Sequence, residues 1–212
     1  MHINIKGKGK PLVLIHGWGT SGKIWEEFSE LMKDKYKLYI IDLPGMGSSP
    51  IIKPYKIDNL VNEIHKVIPE NVTMIGWSLG GQIAMKYSLK YPKSINYLVC
   101  ISSTPCFIKK PGWNYGVSID FFSKFKKDLL NNGQKTLKKF FLLQIQKDSE
   151  EKSILKELEK IFIGQQPPTK EGLEKSLEIL EEIDMRKDIK NINIPTLIIV
   201  GKKDTISNYK AS

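Results

Sequence analysis

The sequence predicts an α/β domain: a mostly parallel sheet flanked by helices, with a helical insertion before its last strand. Two observations carry this. Short apolar runs alternate with helical apolar spacing through the first hundred residues, and strand character then disappears between Pro111 and about Glu182 before returning at Pro195. A chain of 212 residues fits one such domain and can bury a large core.

Pro11-Leu12-Val13-Leu14-Ile15 is a continuous apolar run, as a strand covered on both faces requires, and it ends in His16-Gly17-Trp18-Gly19. From Ile24 to Lys33, Ile24, Trp25, Phe28, Leu31 and Met32 recur at helical spacing. Tyr36 to Ile41 reads as a second strand, stopped by Asp42-Leu43-Pro44-Gly45-Met46-Gly47. Leu60, Val61, Ile64 and Ile68 mark an amphipathic helix from about Ile57 to Val67. Val72 to Ile75 is a third strand, followed by a glycine-rich turn and a helix from about Gly80 to Lys90; Ile95 to Ser102 is a fourth strand. Lysine-laced helices follow, broken at Gln165-Gln166-Pro167-Pro168, and Thr196 to Gly201 restores the strand pattern. The chain thus divides into 1–110, the first part of the core; 111–184, a helical cap or lid; and 185–212, the resumed core, which stops after one more strand.

Composition narrows the function classes. The apolar share of 41% is ordinary for a globular protein, and no apolar run approaches the roughly 20 residues that span a bilayer. The N-terminus lacks the apolar stretch of a secretory signal, so the cytoplasm is the expected location. The net charge of +10 raises nucleic acid as a partner, but Arg186 is the only arginine and no nucleic-acid-binding signature is present. Cys100 and Cys106 have no metal-site spacing and read as free thiols. Neither a cofactor nor a metal is called for.

The chemistry concentrates at Gly76-Trp77-Ser78-Leu79-Gly80-Gly81. This is G-x-S-x-G between a strand and a helix, the nucleophile elbow. The turn is so tight that side chains at 76 and 80 would collide with backbone, and Ser78 takes a strained conformation that lifts its Oγ from the sheet. The helix N-terminus behind it favours developing negative charge. Donors for an oxyanion are expected from the backbone N–H of Leu79 and that of Trp18, whose indole would wall the pocket. In this chain order the acid follows a later strand, which selects Asp204; Asp42 precedes the serine and reads as structural.

A histidine base should lie downstream of Asp204, yet the three histidines are His2, His16 and His65. His65 is read as solvent-facing and His16 as a poor substitute by chain order. The expectation is that the C-terminal end of the fold, with one more helix, an edge strand, the histidine loop and a last helix, is missing from these residues.

With these residues in view, the chain resembles the α/β-hydrolases, and among them the BioH-type pimeloyl-[acyl-carrier protein] methyl ester esterases. The resemblance covers essentially the whole chain. It rests on the segments at 16–19, 42–47, 76–81 and 201–204, and more particularly on Ser102-Ser103-Thr104-Pro105-Cys106-Phe107, Lys139 to Gln144, and Gly172 to Leu180 with Asp184-Met185-Arg186. It implies a serine carboxylesterase that cleaves the methyl ester of a pimeloyl chain on acyl-carrier protein through an acyl-enzyme. It further implies that Trp18, Ser78 and Leu79 form the reacting-ester site, and that Phe140, Phe141, Leu142, Leu143 and Gln144 line the acyl channel. Lys135, Lys139, Lys152 and Lys156 match basic cap residues that would face the acidic carrier protein. The expected assembly is a monomer. Two other readings stay open: an α/β-hydrolase acting on another small ester, and a non-catalytic remnant without the triad histidine.

Overall fold

A computed structural model describes residues 1–144 and 166–212, apart from the side chains of residues 143 and 144. Six strands form one sheet: β1 (Ile3–Lys6), β2 (Lys10–Ile15), β3 (Tyr36–Ile41), β4 (Val72–Trp77), β5 (Ile95–Ile101) and β6 (Thr196–Ile199). Their order is β1-β3-β2-β4-β5-β6. All neighbours run parallel except β1, which pairs antiparallel with β3 from Ile3↔Ile41 to Lys6↔Leu38. The register aligns Ile41, Ile15, Gly76, Cys100 and Ile198 in one row, so the loops after β2, β3, β4, β5 and β6 all emerge at one edge. Ligands of open α/β sheets bind at that edge, outside the carboxyl ends of the strands.

Burial follows from the apolar runs. Val13, Leu14 and Ile15 are fully buried in succession, which only a strand covered on both faces permits. Leu12, Leu14, Leu38 and Ile40 meet Trp25 and Phe28, from the turn before α1 (Glu26–Met32) and from α1 itself. On the other face Val13, Ile15, Ile41 and Met74 pack with Leu60 and Ile64 of α2 (Ile57–His65) and Ile83 and Tyr87 of α3 (Leu79–Lys90). Cys100 and Cys106 are buried free thiols, and burial pushes the Cys100 thiol up to about 12. No described helix is long and apolar enough to cross a membrane.

Between β5 and β6 the described residues hold α4 (Ile119–Asn131), α5 (Gly133–Gln144) and α6 (Lys170–Glu182). Ser118 Oγ accepts the Phe121 N–H and starts α4; Thr169 Oγ1 accepts the Gly172 N–H and starts α6. Three features depart from the sequence reading. β1 was hidden because a four-residue edge strand with two isoleucines carries almost no pattern. Leu31, at helical spacing with the α1 core residues, is 79% exposed. Finally, β6 has the apolar run of a covered strand, yet Leu197, Ile198 and Ile199 are all exposed at the sheet edge.

Candidate active site

Ser78 lies between β4 and α3 with φ 54° and ψ −116°, in the left-handed half of backbone space that non-glycine residues avoid. Two glycines permit it. A Cβ on Gly76 would overlap the Gly80 carbonyl, and one on Gly80 would stand 2.6 Å from the His16 carbonyl oxygen at the end of β2. The strand below is pinned by the Ser78 N–H, which donates to the Ile101 carbonyl at 2.9 Å. Among the described residues, neither the Leu79 N–H nor the Trp18 N–H is given to a backbone carbonyl. Free amides at a helix N-terminus beside a serine hydroxyl can stabilise an anion that develops there.

The space in front of Ser78 is a narrow cavity of about 30 Å³. Among the described residues its lining is apolar apart from Ser78. Trp18, Phe125 and Phe140 roof it as a triangle of rings, with centroids 5.2 to 5.7 Å apart. The Trp18 indole N–H donates to the Leu173 carbonyl at 3.0 Å, tying this roof to α6. Leu177 and Leu180 of α6, Phe107 and Val117 after β5, Phe121 and Phe122 of α4, and Ile206 complete the walls. Phe121 is the half-exposed member of the lining. A wider open groove of about 850 Å³ lies between α2 and the end of α3, around Asn62, His65, Lys90 and Tyr91. It contains no strained nucleophile.

Asp204 follows β6 and is half-buried. Its Oδ1 accepts the N–H groups of Ile206 at 2.9 Å and Ser207 at 2.7 Å, which brings Ile206 to the Ser78 cavity. Among the described residues its second oxygen has no hydrogen-bond partner. Asp42 ties its own turn instead: it accepts from the N–H groups of Gly22 and Ser48 and pairs with His2 Nδ1 at 2.9 Å.

Among the described residues none of the three histidines is hydrogen-bonded to Ser78. His16 is fully buried; its Nδ1 donates to the Gly17 carbonyl at 2.8 Å, and its Nε2 accepts the Leu43 N–H at 2.9 Å. His65 faces solvent only in part, at the edge of the open groove. It is half-buried, stacked on Tyr91 at 3.8 Å, with Nδ1 at 3.0 Å from the Tyr87 hydroxyl.

The segment at 140–144 divides. Phe140 lines the cavity, and Phe141 is buried behind it, ring to ring at 5.5 Å. Leu142 is 43% exposed and stands outside the described lining of this cavity, on the solvent side of α5. The side chains of Leu143 and Gln144 lie outside the described residues, as do Lys152 and Lys156 entirely. Lys135 and Lys139 are exposed one turn apart on α5. Sequence reasoning missed Phe107, Val117, Phe121, Phe122, Phe125, Leu177, Leu180 and Ile206 as lining residues. Only the α4 trio left a signal, an aromatic cluster on adjacent turns of one helix.

A family model for the alpha/beta hydrolase fold matches residues 10–212. A pimeloyl-[acyl-carrier protein] methyl ester esterase of Nitrosomonas europaea is 32% identical over 98% of this chain and 82% of its own length. One from Wigglesworthia glossinidia brevipalpis is 37% identical over 94% and 76%. Among solved structures, an esterase from Exiguobacterium antarcticum superposes with a TM-score of 0.89 at 24% identity, covering 99% of this chain and 80% of that one. A bromoperoxidase from Bacillus anthracis gives 0.87 at 27% identity, with the same coverage.

Proposed function

This chain belongs to the α/β-hydrolase fold family and, within it, to the pimeloyl-[acyl-carrier protein] methyl ester esterases, and we propose that it cleaves the methyl ester of a pimeloyl chain carried on acyl-carrier protein. The observation that carries the reading is the strained Ser78 at the floor of an apolar cavity roofed by aromatic rings.

Ser78 Oγ attacks the ester carbonyl, and the oxyanion is held by the N–H groups of Leu79 and Trp18. Methanol leaves with the serine's proton, and water then cleaves the acyl-enzyme to the free carboxylate. The proton passes through a base that His2, His16 and His65 do not supply, since each is bonded elsewhere; the unpaired Asp204 oxygen is suited to orient such a base. An apolar cavity accepts a neutral methyl ester and disfavours the carboxylate product, which would lose its hydration there without a partner. Substrate preference and product release thus share one cause. Phe140, Phe125 and Trp18 keep water from the ester until the acyl-enzyme forms. The rest of the acyl chain leads outward to the carrier, which Lys135 and Lys139 would face.

Turnover of the pimeloyl-carrier methyl ester compared with a free short-chain ester tests this. Preference for the carrier substrate, with fluorophosphonate labelling that disappears in Ser78→Ala, is expected. Equal turnover of both esters would overturn the substrate. The small cavity favours a second reading, an esterase for a short free ester, and the same comparison decides between them.

A further inference from the structure

We infer that Ser103 is a positioning residue for the oxyanion site: its hydroxyl holds the peptide group whose N–H faces the reacting carbonyl. This rests on the reading of Ser78 as nucleophile and the Leu79 N–H as oxyanion donor.

The adjacent parallel strands β4 and β5 each run into a serine at positive φ, Ser78 at 54° and Ser102 at 44°. Each is anchored to the next strand, Ser78 N–H to the Ile101 carbonyl and Ser102 N–H to the Ile199 carbonyl at 2.8 Å. The Ser102 turn brings Ser103 back against the elbow, where its Oγ donates to the Ser78 carbonyl at 2.8 Å. Only glycine at 81 allows that approach, because a Cβ there would stand 2.5 Å from both Cβ and Oγ of Ser103.

The Ser78 carbonyl and the Leu79 N–H are opposite ends of one planar trans peptide unit. A donor that fixes the oxygen therefore fixes the direction of the N–H. It also draws electron density toward the oxygen, which makes the N–H a stronger donor. The same carbonyl accepts the N–H groups of Gly81 at 3.0 Å and Gln82 at 3.2 Å, both within α3. Among the described residues Ser103 is the donor from outside that helix, so it fixes the plane against the sheet. Ser103 is 2% exposed and does not line the cavity, so substrate does not touch it. Its own carbonyl accepts the Ser212 hydroxyl at 3.0 Å, which links the elbow to the acid-bearing segment.

Butylboronic acid and 2-heptanone, titrated against the full chain and its Ser103→Ala variant by tryptophan fluorescence or calorimetry, separate this role from a structural one. Ser78 Oγ adds to boron, no bond to boron breaks, and the hydroxyl proton passes to solvent, leaving a tetrahedral anion with an oxygen at the oxyanion position. The ketone stays neutral and reports ground-state binding. Ser103→Ala should weaken the boronate about tenfold, less than deleting an oxyanion donor outright, and the ketone by less than about twofold. Equal weakening of both ligands, or an unchanged boronate, overturns the inference. If the boronate is lost in Ser78→Ala yet untouched in Ser103→Ala, the nucleophile reading stands and only the role of Ser103 falls. If the wild-type chain binds no boronate, or Ser78→Ala binds it unchanged, both fall.

Discussion

The His16 ring, beside the loop after β2, is occupied at both nitrogens, which leaves neither open to take a proton without breaking a bond. Its Nδ1 donates to Gly17 and its Nε2 accepts from Leu43, so the ring joins the loop after β2 to the loop after β3. A proton on Nε2 would destroy the second bond and place a charge in a fully buried site. Burial accordingly lowers its pKa to about 4, against smaller upward pulls from the Gly17 carbonyl and Asp42. The folded value lies below the unfolded value of about 6.5, so the contribution to stability is full above that pH and is lost as pH falls toward 4. The difference corresponds to roughly 3 kcal/mol. Urea unfolding at pH 7, 5.5 and 4 should show that loss in the wild type. In His16→Gln, whose amide oxygen can still accept from Leu43, stability at pH 7 should be lower and the decline between pH 6.5 and 4 shallower. Parallel declines would remove His16 as the cause.

At the scale of elements, α6 decides the shape of the cavity, and its docking depends on two backbones in contact. A Cβ on Gly172 would stand 2.7 Å from the Gly45 carbonyl oxygen, which already accepts the N–H of Thr169 at 2.8 Å and its hydroxyl at 3.1 Å. Gly172→Ala should push α6 outward, since neither backbone can yield cheaply, and cost about 1–3 kcal/mol. Because α6 carries Leu177 and Leu180, fluorophosphonate labelling of Ser78 should also change in rate. A variant of unchanged stability and labelling would show that α6 docks otherwise. Strands β2 and β3 were legible because a strand covered on both faces ends in a continuous apolar run, β4 and β5 because short apolar stretches lead into turn residues, and the elbow because its sterics leave few alternatives to glycine. The cavity was not legible, since its described lining comes from seven separate segments between Trp18 and Ile206 and an apolar residue at a cavity carries the same letters as one in the core. Only the fold brings Ile206 and Phe122 to one cavity.

For the whole molecule the governing quantity is charge. The net +10 is uneven: residues 119–144 carry six lysines and two aspartates. Lys126 is paired with Glu181 at 2.7 Å, whereas Lys135 and Lys139 are exposed on a helix with no acid of its own. A lysine face of this kind contributes little to folding, because exposed charges are well hydrated. It acts at longer range, raising the encounter rate with an acidic partner until salt screens it over about 8 Å at physiological ionic strength. Lysines lack the bidentate geometry of arginine, so steering should exceed any gain in residence time. Stopped-flow association of acyl-carrier protein should therefore be fast at low salt and fall steeply toward 0.5 M. Reversal of Lys135 and Lys139 to glutamate should slow association by about tenfold at low salt, flatten its salt dependence, and leave dissociation nearly unchanged. This measurement needs no turnover, so it reads the docking face independently of the base at Ser78. If the wild type and the reversed variant associate at the same rate and with the same salt slope, these lysines only solvate α5.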